Sequence, residues 1–556
     1  MREAQSRSLH REKQSGSVRA SRPRGSTNPV RLMLLAVYLA CIVISPGQLG
    51  FDTDRRLQAT HWLWTSSGSI LTEDTPTENR YDLNIAVGSS GQPHYGYGIG
   101  QSLVMLPADI IGTTLANLIV EGGAPNSEYY KTRIRHFVVS YITFPLTGVF
   151  TAFLLQLFFV ALGLGVWASI SAVALSFVAT RWFDASRVYQ ETGLHFACFL
   201  AGGLCLIFWR NTKKDVYAWG VGAAFCVMVL TRIISVLDIL IVCSAFIFLI
   251  LIERGVRAWR ELLGLYTRVL LCLVVGVAVD RVYHFLRFGE WASTYAGLYF
   301  KQVAQIRQRS LEPLRGAFND PSFPWTTPLQ DGVLGVFVSP KWGVVWFDCL
   351  VVLALYLFVR FFRLWDKLTK AYFCAGVLYL VTYAFFYGRY YEPAGWGAWG
   401  NRYLEVPAIF MSVLGVFMLF HSWSVQRAAD RAVSLALCGA SVTVQLASGV
   451  FAYSLEIVQL QQGCGSQWII LQRFQNIATL LREGGPGHDC VDATKLWLWD
   501  LNVFAGTLVR TAAKTAAERQ LIWSVWAAGL AVVLTLAGYL LIVRRRSRPP
   551  GAGLAP

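Results

Sequence analysis

Charge is scarce in this chain. Only 15% of its 556 residues are Asp, Glu, Lys or Arg, against 54% that are hydrophobic, and the mean hydropathy is +0.45. A soluble protein of this length would need far more polar surface, so the soluble globular class is excluded. Acids are scarcer than bases, 33 against 49. The basic surplus collects at the two termini and in short loops, as the positive-inside rule expects, so it does not indicate a nucleic-acid partner. Histidine and cysteine are few, 8 and 11, and no spacing among them resembles a zinc site. No internal repeat of the transporter kind is visible. The leader up to Arg31 has no short apolar core followed by a small-residue cleavage site. No cleavable signal peptide is expected, and the first span is expected to stay as an anchor.

What the chain has instead is apolar runs near bilayer length, repeated from end to end. The expected spans are 31–48, 134–160, 164–180, 191–209, 215–232, 234–252, 264–286, 340–361, 370–387, 402–421, 431–453 and 520–543. The fold class is therefore an all-α polytopic membrane protein with about twelve transmembrane helices. With the N-terminus inside, the basic loops at 210–215, 253–261, 363–370 and 421–431 and the tail RRRSR (544–548) all fall inside. The segment 101–120 carries Pro107 and Asp109. Counted as a span it would turn the later basic loops outward, so it is read as an interfacial or re-entrant helix.

This topology divides the chain into a disordered basic cytoplasmic leader (1–30), a transmembrane core (31–453), an external loop (454–519), a last transmembrane helix (520–543) and a basic cytoplasmic tail (544–556). The core carries external loops 49–133, 287–339 and 388–401, which places the chemistry on the outer face. Nine cysteines lie in spans, where Cys acts as a small apolar residue. Cys464 and Cys490 share the last external loop. They can form a disulfide in an oxidising compartment; the other reading is two free thiols.

Three external blocks carry candidate chemistry. In FDTDRRLQATHWLW (51–64), Asp52 and Asp54 either cap a short interfacial helix or serve a site; SSGQPHYGYGIGQS (89–102) follows. There, glycines allow close backbone approach, and Tyr95 and Tyr97 offer the flat faces and hydroxyls that sugar sites use. The second block, DGVLGVFVSPKWGVVWF (331–347), sets Lys341 at a membrane re-entry between Gly335 and Gly343. Such a Lys either snorkels or meets a phosphate. The third block, YGRYYEPAGWGAWGNRYLEVP (387–407), holds Arg389 and Arg402 on the side where Arg is least expected. Their partner is either a carboxylate such as Glu392 or Glu405, or an anion suited to the guanidinium fork.

Taken in order, the acid after the first span with HYGYGIGQSLVMLP, then GVLGVFVSPKWGVVWF, then GWGAWGNRYLEVP resemble the integral-membrane glycosyltransferases of the GT-C superfamily. The resemblance is to the bacterial branch of protein-mannosyltransferase-like and aminoarabinose-transferase-like enzymes, and it covers roughly residues 50–410. It implies a GT-C-type bundle with interfacial helices in the first external loop. It also implies transfer of a sugar from a polyprenyl-phosphate carrier to a lipid, glycan or protein acceptor on the extracytoplasmic face of, most simply, a bacterial plasma membrane.

By the resemblance, Asp52 or Asp54 is the base and Arg402 and Lys341 hold the phosphate. Tyr97 and Gln101 line the site, with Tyr95, His94 and Arg389 nearby. The chain departs from the family where Asp52-Thr53-Asp54 replaces Asp-Glu, Gly400-Asn401-Arg402 replaces Gly-Pro-Arg, and Ile99 replaces Pro. No cofactor is required by this reading. A divalent cation could sit between the two acids, although two oxygen side chains make a thin site.

Two other functions compete. A transporter or flippase of a lipid-linked saccharide would use an intramembrane acid such as Asp238, which is otherwise expected to pair with Arg232. A surface-polysaccharide polymerase or ligase would use Arg473, Arg482, His488 and Arg510 of the last loop.

Overall fold

The protein is described from a computed structural model. The described residues run from 29 to 483, interrupted at 46–48, 50, 66–84, 90, 92, 121–126, 189, 310–315, 396–398 and 451–453, and resume at 524 and 527–540. The leader before Pro29, Cys490, His488, Arg510 and the basic tail lie outside them.

Among the described residues the regular structure is helical apart from one antiparallel pair, Ile85–Val87 with Pro93–Tyr95, in which Ala86 faces His94. The helices of the first half are α1 Pro29–Ile44, α2 Phe51–Trp62, α3 Ile99–Ile119, α4 Ser127–Ala161, α5 Val166–Ala179, α6 Trp182–Val188, α7 Thr192–Thr212, α8 Asp215–Thr231, α9 Ser235–Arg254 and α10 Trp259–Phe288. Those of the second half are α11 Tyr295–Arg309, α12 Leu329–Val338, α13 Val344–Phe347, α14 Cys349–Arg360, α15 Lys367–Gly388, α16 Glu405–Ser422, α17 Ala428–Ser448, α18 Ser454–Gln461, α19 Ile469–Glu483 and α20 Ala527–Leu540.

Eight of these helices are long and apolar enough to cross a membrane: α3, α4, α7, α9, α10 with its preceding turn, α15, α16 and α17. Six shorter apolar helices, α1, α5, α8, α12, α14 and α20, accompany them. The chain is thus an all-α polytopic membrane protein. Each expected span falls on one of these helices, and α3 and α12 come in addition. Helix α16 is the centre of the bundle. Nearly all its residues are buried, from Glu405 to Leu419, and it is apolar on every side, as a helix surrounded by others must be.

The segment 101–120, expected to be an interfacial or re-entrant helix, is the body of helix α3. This helix is continuous over 21 residues, and by length and hydropathy it qualifies as a span. Pro107 does not break it; the ring is exposed on its outer face. Its partner helix nevertheless gives it an unusual position. The two run antiparallel, with Met105 in one cluster with Val138 and Val139, and Asp109 bonded to Arg135. A Cβ on Gly112 would stand 3.1 Å from the Arg135 Cα, so glycine is what lets the two backbones meet. The second half of α3 therefore runs beside Glu128, Lys131, Arg133 and Arg135, the charge-bearing opening of α4.

The expected pairing of Asp238 with Arg232 is corrected. Asp238 lies in the first turn of α9 and faces α7 and α15, where His195 Nε2 lies 2.6 Å from it and the Tyr383 hydroxyl donates to it at 2.5 Å. Arg232, at the end of α8, turns to Glu191 instead.

The Gly112 contact makes a prediction. Gly112→Val puts branched atoms where the α4 backbone already stands. Thermal unfolding in detergent should shift down by an amount corresponding to about 1–3 kcal/mol. An unchanged melting temperature would mean that α3 and α4 separate at no cost.

Candidate functional site

The site begins with the first turn of α2. Asp52 and Asp54 lie there, where carboxylates are favoured by the helix dipole. Two residues on a helix are turned about 200° apart, so the two acids cannot serve the same place. Asp54 faces α4: its Oδ1 is 2.8 Å from His136 Nε2, and its Oδ2 accepts from Gln58 at 3.1 Å. Asp52 faces the interior of the bundle end. Its Oδ1 accepts from the Tyr97 hydroxyl at 2.6 Å, and its Oδ2 is ion-paired with Arg402 Nη2.

Behind this pair stands a carboxylate that motif reading missed. Glu191, at the head of α7, is buried. Its Oε2 meets Arg56 Nη2 at 2.6 Å, and its Oε1 lies 3.6 Å from Arg232 Nε and 3.7 Å from Arg402 Nη2. Three guanidinium groups and two carboxylates thus share one largely buried volume, with a formal excess of one positive charge. Arg56 had a sequence signal, because it follows Asp52 at i+4 and so shares its helix face. Glu191 had none. The elements that supply these residues, the start of α2, the start of α7, the end of α8 and the turn before α16, all meet at one end of the bundle.

Electrostatics keep Asp52 ionised. Burial alone would push its carboxyl up, but Arg402 and then Arg56 outweigh it and hold the carboxyl below its ordinary value of 3.8. Tyr97 moves the other way. Burial and the neighbouring Asp52 raise its phenol, so it stays a proton donor to that carboxylate. Arg56 also lies over the Tyr97 ring, 4.2 Å from its centre, and Arg55 lies 4.6 Å from the centre of the Tyr95 ring. Arg287 of α10 fixes this segment from behind, donating to the Tyr95 carbonyl at 2.6 Å and to the Tyr97 carbonyl at 3.2 Å.

The loop that delivers Arg402 is built for rigidity. Gly400 takes a left-handed φ of +82° directly against Phe347, where a Cβ would come within 2.9 Å. The Asn401 side chain caps the next turn, accepting from the Tyr403 and Leu404 amides at 3.0 and 3.1 Å. Arg181 donates to the Asn401 carbonyl at 2.5 Å. Beneath the loop, Trp399 is fully buried between Phe347 and Arg473, and Arg473 pairs with Glu456 at 2.6 Å. Arg473, which the polymerase reading would recruit, is thus a buried brace.

The other expected site residues are placed as follows. Gln101 is buried and lines a cavity with Thr143, Thr151, Trp182 and Gln190. His94 is buried between Trp62 and Phe288. The Lys341 Nζ is 5.5 Å from the centre of the Trp342 ring, and it acts on Glu392, whose carboxyl burial raises and Lys341 lowers. Arg389 is exposed and makes no ion pair among the described residues; its carbonyl accepts from the Thr327 amide at 3.2 Å. Cys464 is disulfide-bonded, and the nine other described cysteines are free. Among the described residues no group of three His, Cys, Asp or Glu side chains is arranged to hold a metal ion. The space between Asp52 and Glu191 is filled by the Arg402 guanidinium.

No protein-family model matches the chain, and no curated protein matches it. Among solved structures it is similar to the oligosaccharyltransferase of Archaeoglobus fulgidus in its apo form, with 11% sequence identity and a TM-score of 0.37. The match covers 85% of this chain and 60% of that one, so this chain spans about 60% of that protein's length.

The burial of His94 sets a pH test. Burial, and then the charge of Arg287, lower its pKa from 6.5 to about 4, and its Nδ1 has no hydrogen-bond partner among the described residues. A lowered histidine binds its proton more weakly when folded than when unfolded. Its stabilising effect is therefore full above pH 6.5 and lost as the pH falls towards 4. The melting temperature should drop over that window by up to about 3 kcal/mol in equivalent stability. His94→Phe should flatten that drop; an equally steep drop in the variant would exclude His94 as its source.

Proposed function

We propose that the protein is a membrane glycosyltransferase of the GT-C kind, moving a sugar from a polyprenyl-phosphate carrier to an acceptor hydroxyl at the Asp52 site. The observation that carries this reading is the convergence of Asp52, Tyr97 and Arg402 from three separate stretches, backed by Arg56, Arg232 and Glu191. A carboxylate and a cluster of guanidinium groups are the two things glycosyl transfer from a phosphate needs.

In this reading Asp52 takes the proton of the attacking hydroxyl. The bond between the anomeric carbon and the phosphate oxygen breaks, and the electron pair leaves with the phosphate. Arg402, with Arg56 and Arg232, stabilises the charge that develops there. A nearby carboxylate also favours the oxocarbenium character of the sugar at the transition state. Glu191 is the positioning residue, since it holds three guanidinium groups in one place. The site lies on the extracytoplasmic face, the side opposite the basic loops.

The geometry adds a condition. With Arg402 on one oxygen and Tyr97 on the other, Asp52 is a poor base as it stands. A donor phosphate competes for Arg402. As the guanidinium turns to the phosphate, Asp52 loses the charge that depresses its pKa and becomes a better proton acceptor. Donor binding and activation of the base are then a single event.

The transporter reading loses its main sequence support, because Asp238 is buried and bonded to His195 and Tyr383.

The decisive experiment is turnover of a polyprenyl-phosphate sugar by the purified full chain, read as released polyprenyl phosphate. Asp52→Asn should cut turnover by about 10²–10⁴-fold, the contribution of a positioned base. Asp54→Asn, whose partners are Gln58 and His136, should stay within about tenfold of the parent on that same scale. Equal losses in the two variants would remove Asp52 from its role, and no release from any carrier would remove the reading itself.

Because Asp52 is depressed in the free protein and released by the donor, the two kinetic parameters should titrate differently. The acid limb of kcat, which reports the donor complex, should lie at higher pH than that of kcat/KM, which reports the free enzyme. Coincident limbs would refute the exchange of Arg402.

A further inference from the structure

A second polar cavity lies away from the Asp52 group, at the far end of α2. It is a cleft of about 410 Å³, within the ordinary range for small-molecule sites, between the end of α2, the second half of α3 and the opening turns of α4. Helix α4 lends it Glu128, Lys131, Thr132 and Arg135, which share one helix face at i, i+3, i+4 and i+7. Helix α3 lends Thr113, Thr114 and Asn117, and His61 and Trp64 close one side.

The cleft is held in shape by a buried anchor. Asp109 is fully buried and accepts from Trp64 Nε1 at 2.8 Å and from Arg135 Nε at 2.9 Å, with His61 Nδ1 at 3.0 Å. This locks the indole and the guanidinium in place. Arg135 spends its Nε on Asp109, so its two terminal nitrogens have no hydrogen-bond partner among the described residues. Lys131 has only Glu128, at 3.3 Å, and that carboxylate is largely in solvent. The Thr113 hydroxyl has no partner among the described residues. A preset guanidinium fork, an ammonium and a hydroxyl on one wall are the recognition set of a phosphate.

The neighbouring surface says what carries that phosphate. Leu103, Pro107, Ile110, Thr114 and Asn117 follow one another at i, i+4, i+7, i+11 and i+14, which places them in one stripe along α3, and all five are exposed. The stripe is apolar from Leu103 to Ile110 and becomes polar where it enters the cleft. Ile111 beside it is 51% exposed. Trp64, 38% exposed at the rim, is the residue type that settles at headgroup level.

We propose that this cleft is a headgroup site for a phosphate-bearing membrane lipid. The phosphate sits on Lys131 and the Arg135 fork, and the hydrocarbon chain lies along Leu103, Pro107 and Ile110. The site is distinct from the Asp52 group and does not rest on the proposed transferase activity.

The test is native mass spectrometry of the delipidated full chain, titrated with dioleoyl phosphatidylglycerol and separately with dioleoylglycerol, which has the same chains and no phosphate. The phospholipid should be retained and the diacylglycerol should not. Lys131→Glu reverses the charge in the cleft and Asn117→Trp fills it from an exposed position. Each should weaken phospholipid retention tenfold or more while the melting temperature holds.

Three results would overturn the proposal. One is equal retention of the two lipids by the parent. Another is undiminished phospholipid retention in both variants. The third is displacement by millimolar inorganic phosphate, or by a soluble oligosaccharide whose own binding Asn117→Trp abolishes, since either would show a site for a soluble ligand. Sugar turnover is not a readout here, so failure of the lipid site and failure of the transferase reading are separable.

Discussion

Everything at one end of this bundle depends on a group of buried charges that cannot exist singly. Glu191 is out of reach of water, and so in large part are the three arginines around it. Removing a charge from water costs far more than one ion pair returns, unless each member has several well-placed partners. Asp52, Glu191, Arg56, Arg232 and Arg402 meet that condition only together. They come from the starts of α2, α7 and α16 and the end of α8, so satisfying them pins those helix ends to one another.

That constraint explains the surrounding architecture. The Arg402 loop has to be stiff, because a guanidinium misplaced by an ångström would leave Asp52 or Glu191 unpaired. Gly400 against Phe347, the Asn401 cap and the buried Trp399–Arg473–Glu456 stack supply that stiffness. The segment bearing Tyr97 is tied down by Arg287 for the same reason. Within this group the three guanidinium groups and two carboxylates leave a formal excess of one positive charge.

The helices were largely legible in the sequence, since a span is a local property: enough consecutive apolar residues to match the hydrocarbon thickness. Helix α3 was harder. Its hydropathy is that of a span while its partner turns are charged, and only the antiparallel register with α4 puts those two facts side by side. In the site, Asp52 and Arg402 were marked by the charge and motif pattern of two expected external blocks. Glu191 was not, because RVYQETG resembles any polar turn. Lys341 was drawn in by its motif, and its charge acts on Glu392, a partner the motif did not name. Asp238 was assigned its nearest opposite charge along the chain, whereas the partners that reached it, His195 and Tyr383, come from other helices.

The sequence by itself determined that this is a helical membrane protein and where most of its helices lie. Hydropathy and helical periodicity are set by neighbours within a few turns, so they can be read along the chain. Only the tertiary structure decided which partners Asp52 and Asp54 meet. The helix turns the two acids to opposite sides, and which side holds Arg402 and which holds His136 depends on how α2 is rotated against α4, α7 and the loop before α16. That rotation is fixed by buried charges seeking partners 45 to 350 residues away in sequence, from Tyr97 to Arg402.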